Sequence, residues 1–268
     1  MSIHPTAVVH PKAIIGKNVE IGPYSVIEED VKIGDNCYID AHVKISRYTT
    51  MGDRCRVYYG ALVGEEPQDH RFYPGIVSYT EIGSDTVIRE YVTIHRPPFE
   101  EQKTIIGNHC LLMGFVHIAH DVVLADHVTI ANNTILAGHI QVEDGAVISG
   151  HVMIHQFCKI GKLAMVGPGL KIVQDIPPFC LVGDDGYVFG PNVVGLRRAG
   201  FNGEQRKAIR AAIKTFFFKD LNAKNACSEI ESGETTPEVE HFTSFIKAST
   251  RGIMPGKPGR TSANSEQN

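Results

Sequence analysis

The chain has 268 residues, with Lys+Arg 26 against Asp+Glu 30 and a formal net charge of −4. Hydrophobic residues make up 43% and charged residues 21%, which excludes a disordered chain and a coiled coil. The slightly acidic balance gives no reason to expect nucleic acid or an anionic membrane as partner.

Six cysteines, none in a C-x-x-C pair, exclude a zinc ribbon or a disulfide scaffold and suit a reducing cytosol. The first residues, Met1-Ser2-Ile3-His4-Pro5, lack the profile of a signal peptide. No run approaches the ~18 apolar residues of a transmembrane helix. A cytoplasmic protein without membrane contact is expected.

From Ile3 the chain reads in sixes. The first position of each hexad is Ile3, Val9, Ile15, Ile21, Ile27 and so on, with no polar interruption, to Val63. The register returns at Ile82, Ile88 and Ile94, then runs from Ile106 to Ile172. The fifth position is small or β-branched (Ala7, Val19, Ser25, Thr134, Ala146), and the second is often Gly. Neither a period of 3.6 nor simple alternation fits so long a run, and a fixed short period implies a solenoid. Three flat faces per coil make a triangular coil of eighteen residues, its first-position aliphatics stacked inward at about 4.8 Å. Gly or Asn is expected to tolerate the bends. The fold class is mainly β: a left-handed parallel β-helix followed by a C-terminal α-helical domain. An ordinary β-sandwich does not hold one period this long.

The register breaks predict loops at 68–81 and 96–105, and loops leaving a solenoid often carry function. The repeats end at Pro177-Pro178. Amphipathic runs Gln205 to Leu221 and Pro237 to Ala248, separated by a Gly/Thr loop, are read as helices. The expected domains are the β-helix at 1–190, the helical domain at 191–255 and a flexible tail at 256–268.

Eighteen residues per coil decide which histidines meet. Gly138 lies one coil from His120, and Gln156 one coil beyond. His139 lies one coil from Asp121, and His155 one coil from Ala137. His120, the Gly138 backbone, His139 and Gln156 therefore cluster at one corner. An imidazole beside an amide N–H is what acyl transfer needs: a base near pH 7 and a donor for the tetrahedral oxyanion. At a corner Asp121 is able to turn back and fix the tautomer of His120. The rival for the same cluster is a zinc site, as in a hydratase on this fold. His4, His10, His109 and His127 read as solvent-facing.

The strings His117-Ile118-Ala119-His120-Asp121, Leu136-Ala137-Gly138-His139, His155-Gln156-Phe157 and Gln174-Asp175-Ile176-Pro177-Pro178 occur in one register. So do Pro67-Gln68-Asp69, Arg89 to His95, Gly195 to Phe201 and Ser249-Thr250-Arg251-Gly252-Ile253. In these the chain closely resembles the UDP-N-acetylglucosamine acyltransferase family, acyl-carrier-protein-dependent enzymes that begin lipid A synthesis, over residues 1 to about 254. The resemblance implies His120 as general base, Asp121 as the residue orienting it, and the Gly138 N–H as oxyanion donor. It implies His117, His139 and His155 in the cleft, with His95 beside them among the substrate-binding candidates. Gln68 and Asp69 match contacts to the sugar nucleotide, and Arg71 sits where the family has a basic residue. Asn192 and Arg198 match uridine and phosphate contacts, and Gln156 matches a residue along the acyl-donor groove. It further implies a homotrimer with sites between subunits, acyl carrier protein as donor partner, a UDP-amino sugar as acceptor, and no metal or cofactor.

Some positions depart from the family pattern. Many relatives carry an acid where this chain has Val194 and a second basic residue where it has Ala199. Some relatives with this simpler pattern use a 3-amino sugar and form an amide. Pro168, where some relatives carry Gly, and Lys171 on the next turn are candidates for setting acyl length. Met153, Met165, Leu163 and Leu170 are candidates for lining an apolar groove. Arg206, Lys207, Arg210 and Lys214 form a basic stripe suited to an acidic carrier protein. The remaining alternatives are an acetyl-CoA-dependent sugar acetyltransferase and a non-catalytic scaffold. The N-acyltransferase cousin of the same pathway is expected to carry an additional N-terminal domain.

Overall fold

The computed structural model of the chain describes residues 2–233 and 235–258. Each hexad contributes one short strand, and residues pair with those one coil on: Ser2 with Glu20 and Ile3 with Ile21. The strands sort into three sheets of 11, 9 and 8, called here the first, second and third faces of a triangular prism. Among the described residues every pairing of these strands is parallel except that of Cys180–Val182 with Val188–Pro191. This is the expected left-handed parallel β-helix.

The hexad code explains the core. First-position aliphatics such as Ile39, Ile45, Ile94 and Leu112 are fully buried, each contributing roughly 1.5–3 kcal/mol of transfer free energy. Fifth positions are buried too, and Cys37, Cys55, Cys110 and Cys158 take that place as small apolar groups. The first coil is an exception, because nothing stacks beneath it: Ile3 is 37% exposed.

The second-position glycines serve close approach rather than the bend. A Cβ on Gly34 would stand 2.6 Å from the Gly52 carbonyl carbon of the next coil. The bend falls on the fourth residue, which adopts φ near +60° and is mostly not Gly: Asn18, Tyr24, His42, Asp121, His139 and Phe157 all do so. Stacking of coil on coil offsets the roughly 1–2 kcal/mol that this conformation costs a residue with a Cβ.

The two interruptions are shorter than the hydrophobic register indicates. Tyr79–Ile82 pairs over its full length with Lys103–Ile106. The loops are therefore 66–78 and 96–102, the first of them beginning two residues earlier than expected. The reason is polar: Thr80 and Thr104 fill inward positions that an apolar count passes over.

Beyond the prism lie α1 (Val193–Arg198), α2 (Gly203–Phe218), α3 (Ala223–Glu231) and α4 (Pro237–Lys247). Helix α2 opens on a capping box between Asn202 and Gln205. Helix α3 occupies what reads as loop; it is short, capped by Asn222, and buries only Ala226, Cys227 and Ile230. Helix α4 meets the third face, where His241 Nε2 lies 2.8 Å from Glu143 Oε2. The chain then returns to the prism. Ser249 Oγ donates to Asp175 Oδ2 at 2.6 Å, Gly256 bridges to Val188, and Lys257 pairs with Asp185 at 2.8 Å. Gly256 and Lys257, expected in the flexible tail, are thus held; residues 259–268 of that expectation lie outside the described residues.

Candidate active site

His120 sits at the corner between His117–Ile118 of the second face and Val123–Leu124 of the third. The next residue, Asp121, takes φ +60°. That left-handed turn brings two consecutive side chains together, and His120 Nδ1 lies 2.7 Å from Asp121 Oδ2. A carboxylate only accepts, so Nδ1 carries the hydrogen and Nε2 presents a lone pair. The turn is itself held. Asp121 N–H donates to the buried Thr104 Oγ1 at 2.9 Å, and Thr104 donates to the His95 carbonyl at 2.8 Å.

One coil on, Gly138 packs against the imidazole: a Cβ there would stand 2.5 Å from His120 Cε1 and 2.8 Å from Nε2. At other corners the N–H at this hexad position is capped by an Asp one coil later, as in Lys17 N–H to Asp35 Oδ1 at 2.7 Å and Asn108 N–H to Asp126 Oδ1 at 2.7 Å. For Gly138 the residue in that place is Gln156, and among the described residues the Gly138 N–H has no acceptor. A missing cap beside a base leaves a donor free for an oxyanion. His139 stands edge-on to His120 with centroids 5.2 Å apart, its Nε2 3.7 Å from Asp121 Oδ2.

The first loop closes over this corner. Asp69 Oδ2 is 3.8 Å from His120 Nε2. Arg71 forks onto Asp69, with Nη2 to Oδ2 at 2.6 Å, and holds its carboxyl well below the usual range. The Arg71 guanidinium also lies over the Phe99 ring, tying the two loops together. Gln68 is exposed beside them. The His95 and His117 rings meet behind the site, tilted at 54° with centroids 5.1 Å apart. His117 Nδ1 meets Thr93 Oγ1 at 2.8 Å, and burial first, then the neighbouring His95, pushes its pKa down to about 4. His95 donates from Nδ1 to the Glu66 carbonyl at 2.6 Å; burial lowers its pKa as well, and its Nε2 is buried without a partner.

His155 and Gln156 lie exposed one coil above Gly138, and Arg251 Nη2 reaches His155 Nδ1 at 3.2 Å. On the second face the outward side chains in register are His117, Ile135, Met153 and Lys171. Ile135 and Met153 are 44% and 52% exposed, an apolar strip running from the His117 level to Lys171. Pro168 is exposed at the corner before that strand. The four residues expected to line one groove do not share a surface: Met153 faces out on the second face, Met165 on the first, and Leu170 is buried.

Asn192 and Arg198 lie elsewhere. They line a cavity of about 570 Å³ between the first face and helices α1 and α2, with Val147, Met165 and Leu181 as floor and Arg210 and Lys214 at the side. Asn192 caps α1 through Oδ1 and donates from Nδ2 to the Leu163 carbonyl, so both ends of its amide are engaged. In a triangular prism the first face lies opposite the corner that carries His120. One chain therefore does not bring Asn192 and Arg198 to its own His120.

Sequence reading passed over Phe157, Arg96 and Thr104. Phe157 stacks on His139 with centroids 4.7 Å apart, and subtracting eighteen from 157 would have found it. Arg96 and Thr104 sit where the register is broken, so spacing gave no signal.

The donor atoms of His120, Asp121 and His139 all lie within 4.8 Å of one another, so this set is able to hold a cation. The same arrangement also suits a base, an orienting carboxylate and a flanking imidazole. Residues 175–254 match the family model described as UDP N-acetylglucosamine O-acyltransferase, domain 2, and residues 103–138 match that of the bacterial transferase hexapeptide. The acyl-[acyl-carrier-protein]--UDP-N-acetylglucosamine O-acyltransferase of Halorhodospira halophila is 45% identical over 258 residues, 94% of this chain and 98% of that one.

The chain belongs to the UDP-N-acetylglucosamine O-acyltransferase family.

Solved structures in this family match most of the chain. The Bacteroides fragilis UDP-N-acetylglucosamine acyltransferase matches with a TM-score of 0.91 at 39% identity, over 94% of this chain and 99% of that one. The Francisella novicida enzyme matches with a TM-score of 0.91 at 34% identity, over 96% and 95%. The family expected from the motif strings is borne out.

Proposed function

We propose that the chain transfers an (R)-3-hydroxyacyl group from acyl carrier protein to the glucosamine 3-hydroxyl of UDP-N-acetylglucosamine, the first step of lipid A biosynthesis. One observation carries the chemistry: an imidazole held in the Nδ1–H tautomer by Asp121, with an uncapped Gly138 N–H against its ring. His120 Nε2 takes the proton of the 3-hydroxyl as its oxygen attacks the thioester carbonyl. The Gly138 N–H receives the oxyanion. Collapse breaks the C–S bond, and the departing carrier-protein thiolate takes the proton back from His120. No acyl-enzyme forms; Cys158, two residues from Gln156, and Cys110 are both buried.

Asp69 and Arg71, with Gln68 beside them, hold the sugar over His120. His139, His155 and Gln156 line the way for the donor arm, and His117 and His95 back the site as neutral imidazoles. The strip of Ile135 and Met153 takes the acyl chain, with Lys171 at its end and Pro168 at the adjoining corner.

The nucleotide is held by Asn192 and Arg198 of a neighbouring subunit. The opposite placement of these residues and His120 in one chain supports a homotrimer with sites between subunits. Arg210 and Lys214, with Arg206 and Lys207, offer an acidic carrier protein a basic helix face. Among the described residues no helix is long and apolar enough to cross a membrane. All six cysteines are buried free thiols, which suits the cytoplasm as the place of reaction.

The test pairs (R)-3-hydroxyacyl carrier proteins of several chain lengths with UDP-N-acetylglucosamine and with its 3-amino analogue. Transfer to the hydroxyl acceptor, lost by about 10²–10⁴ in His120→Ala, is expected. A preference for the amino acceptor would change the product to an amide. No transfer to either would overturn the reading.

A further inference from the structure

Arg96 begins the second loop, and its side chain is 1% exposed. A buried guanidinium away from the reacting corner calls for a reason, since burial without full pairing is costly. Apart from the Tyr48 ring on the prism, its contacts lead to the first loop and its root. The Arg96 N–H donates to the Glu65 carbonyl at 2.9 Å, where that loop leaves the prism. Nη1 donates to the Ile76 carbonyl at 2.8 Å, near where it returns. The guanidinium lies 4.9 Å from the Phe72 ring centroid, in the middle of the loop, and 5.5 Å from that of Tyr48 on the prism. Its only carboxylate within 4 Å among the described residues is Glu66, at 3.6 Å and 53% exposed. Nε is buried with no partner at all.

We propose that Arg96 is a positioning residue for the transfer: it pins the start, middle and end of the 66–78 loop, and so sets Asp69 opposite His120 Nε2. The planar guanidinium is suited to this, because one group stacks on two rings while its edge donates to a carbonyl. Asp69 is the loop residue that reaches the base, at 3.8 Å. The Asp69–Arg71 fork is local to the loop, between residues two apart, and does not by itself fix where the loop stands. Arg96 does that from the prism side without approaching the substrate. The inference rests on the transferase reading given above.

The test is a steady-state comparison of wild type, Arg96→Gln, Phe72→Ala, Asp69→Asn and the double variant Arg96→Gln/Asp69→Asn, alongside limited trypsin digestion at Arg71. Arg96→Gln is expected to raise the KM for UDP-N-acetylglucosamine about tenfold, with the donor KM unchanged. Cleavage after Arg71 is expected to accelerate. Phe72→Ala removes the stack from the loop side and leaves the prism intact, so it should show the same signature if Arg96→Gln folds poorly. In the Asp69→Asn background Arg96→Gln should add less than about twofold, because the residue acts through Asp69. A fall in kcat with both KM values constant, or effects that simply multiply in the double variant, would overturn the proposal. If wild type shows no transfer at all, the transferase reading fails. The proteolysis then still decides Arg96, and unchanged cleavage in Arg96→Gln and Phe72→Ala would sink it.

Discussion

The Cα of Gly138 faces the His120 ring so closely that a methyl group there would stand 2.5 Å from Cε1 and 3.0 Å from Nδ1. The two residues are eighteen apart, so the coil itself builds the pairing of base and amide donor. Gly138 is not among the glycines with positive φ, so alanine brings no backbone strain there. Gly138→Ala should therefore fold with nearly the wild-type Tm and lose activity by about 10²–10³ in kcat, the loss expected when an oxyanion donor and its base are pushed apart. Differential scanning fluorimetry and initial rates on the same preparation check both halves. An active Gly138→Ala enzyme would refute the assignment.

Asp121→Asn keeps the shape of the corner, because Asn tolerates the left-handed conformation that Asp121 holds at φ +60°. The amide is able to donate to Nδ1, which then releases its hydrogen to Nε2, the atom that has to accept the substrate proton. A fall of about 10²–10⁴ in kcat with little change in KM is expected. Thr104→Val removes the acceptor for the Asp121 N–H and should give a smaller loss of the same kind. A variant as active as wild type would mean that Asp121 is merely adjacent to the base.

His117 makes stability depend on pH. Burial lowers its folded pKa from 6.5 to about 4. Between those values the unfolded chain binds more protons than the folded one, so stability falls as pH falls. The contribution is fully present above about 6.5 and lost progressively towards 4. His95, lowered by burial as well, acts in the same direction. The Tm of His117→Gln should vary less than wild type between pH 6.5 and 4. Equal slopes for the two proteins would count against a buried neutral His117.

The hexad pattern made the prism legible because each inward position repeats one demand, an aliphatic side chain at a fixed spacing. The same arithmetic placed Gly138 and His139 beside His120 and Asp121. It failed where the demand is not apolar. Thr80 and Thr104 fill inward positions with hydroxyls, so the strands at both loops begin earlier than the apolar register does. Arg96 is buried by ring stacking and a carbonyl, neither of which leaves a periodic trace. Helix α3 has too few buried residues to print an amphipathic stripe. The glycines split in purpose: those at the second position mark close coil contact, while Gly60, Gly145 and Gly169 do sit at the bend, which elsewhere falls on Asn as expected but also on Asp, His, Tyr and Phe.

The donor set of His120, Asp121 and His139 suits zinc as well as it suits a proton. Added Zn²⁺ should inhibit transfer, chelator should restore it, and chelator alone should leave the wild-type rate unchanged. Equilibrium dialysis should find the bound zinc lost in His139→Ala. Transfer that rises with stoichiometric zinc would instead make the cluster a working metal site.

The opposite placement of His120 and of Arg198 leads to a prediction about mixtures. His120 lies at the corner between the second and third faces, while Arg198 lines the cavity on the first. If each site takes His120 from one subunit and Arg198 from the next, His120→Ala and Arg198→Ala damage different halves of it. Each variant alone should be nearly inactive. Mixed, dissociated and reassembled, they should regain activity, because in a mixed trimer some interfaces pair an intact His120 with an intact Arg198. With equal input and random assembly about one interface in four is intact, since each half is wild type with a chance of about one half. Sedimentation should show trimers for both variants and for the mixture. Reassembled trimers with no recovered activity would place both residues in one subunit's site, against the geometry of the prism.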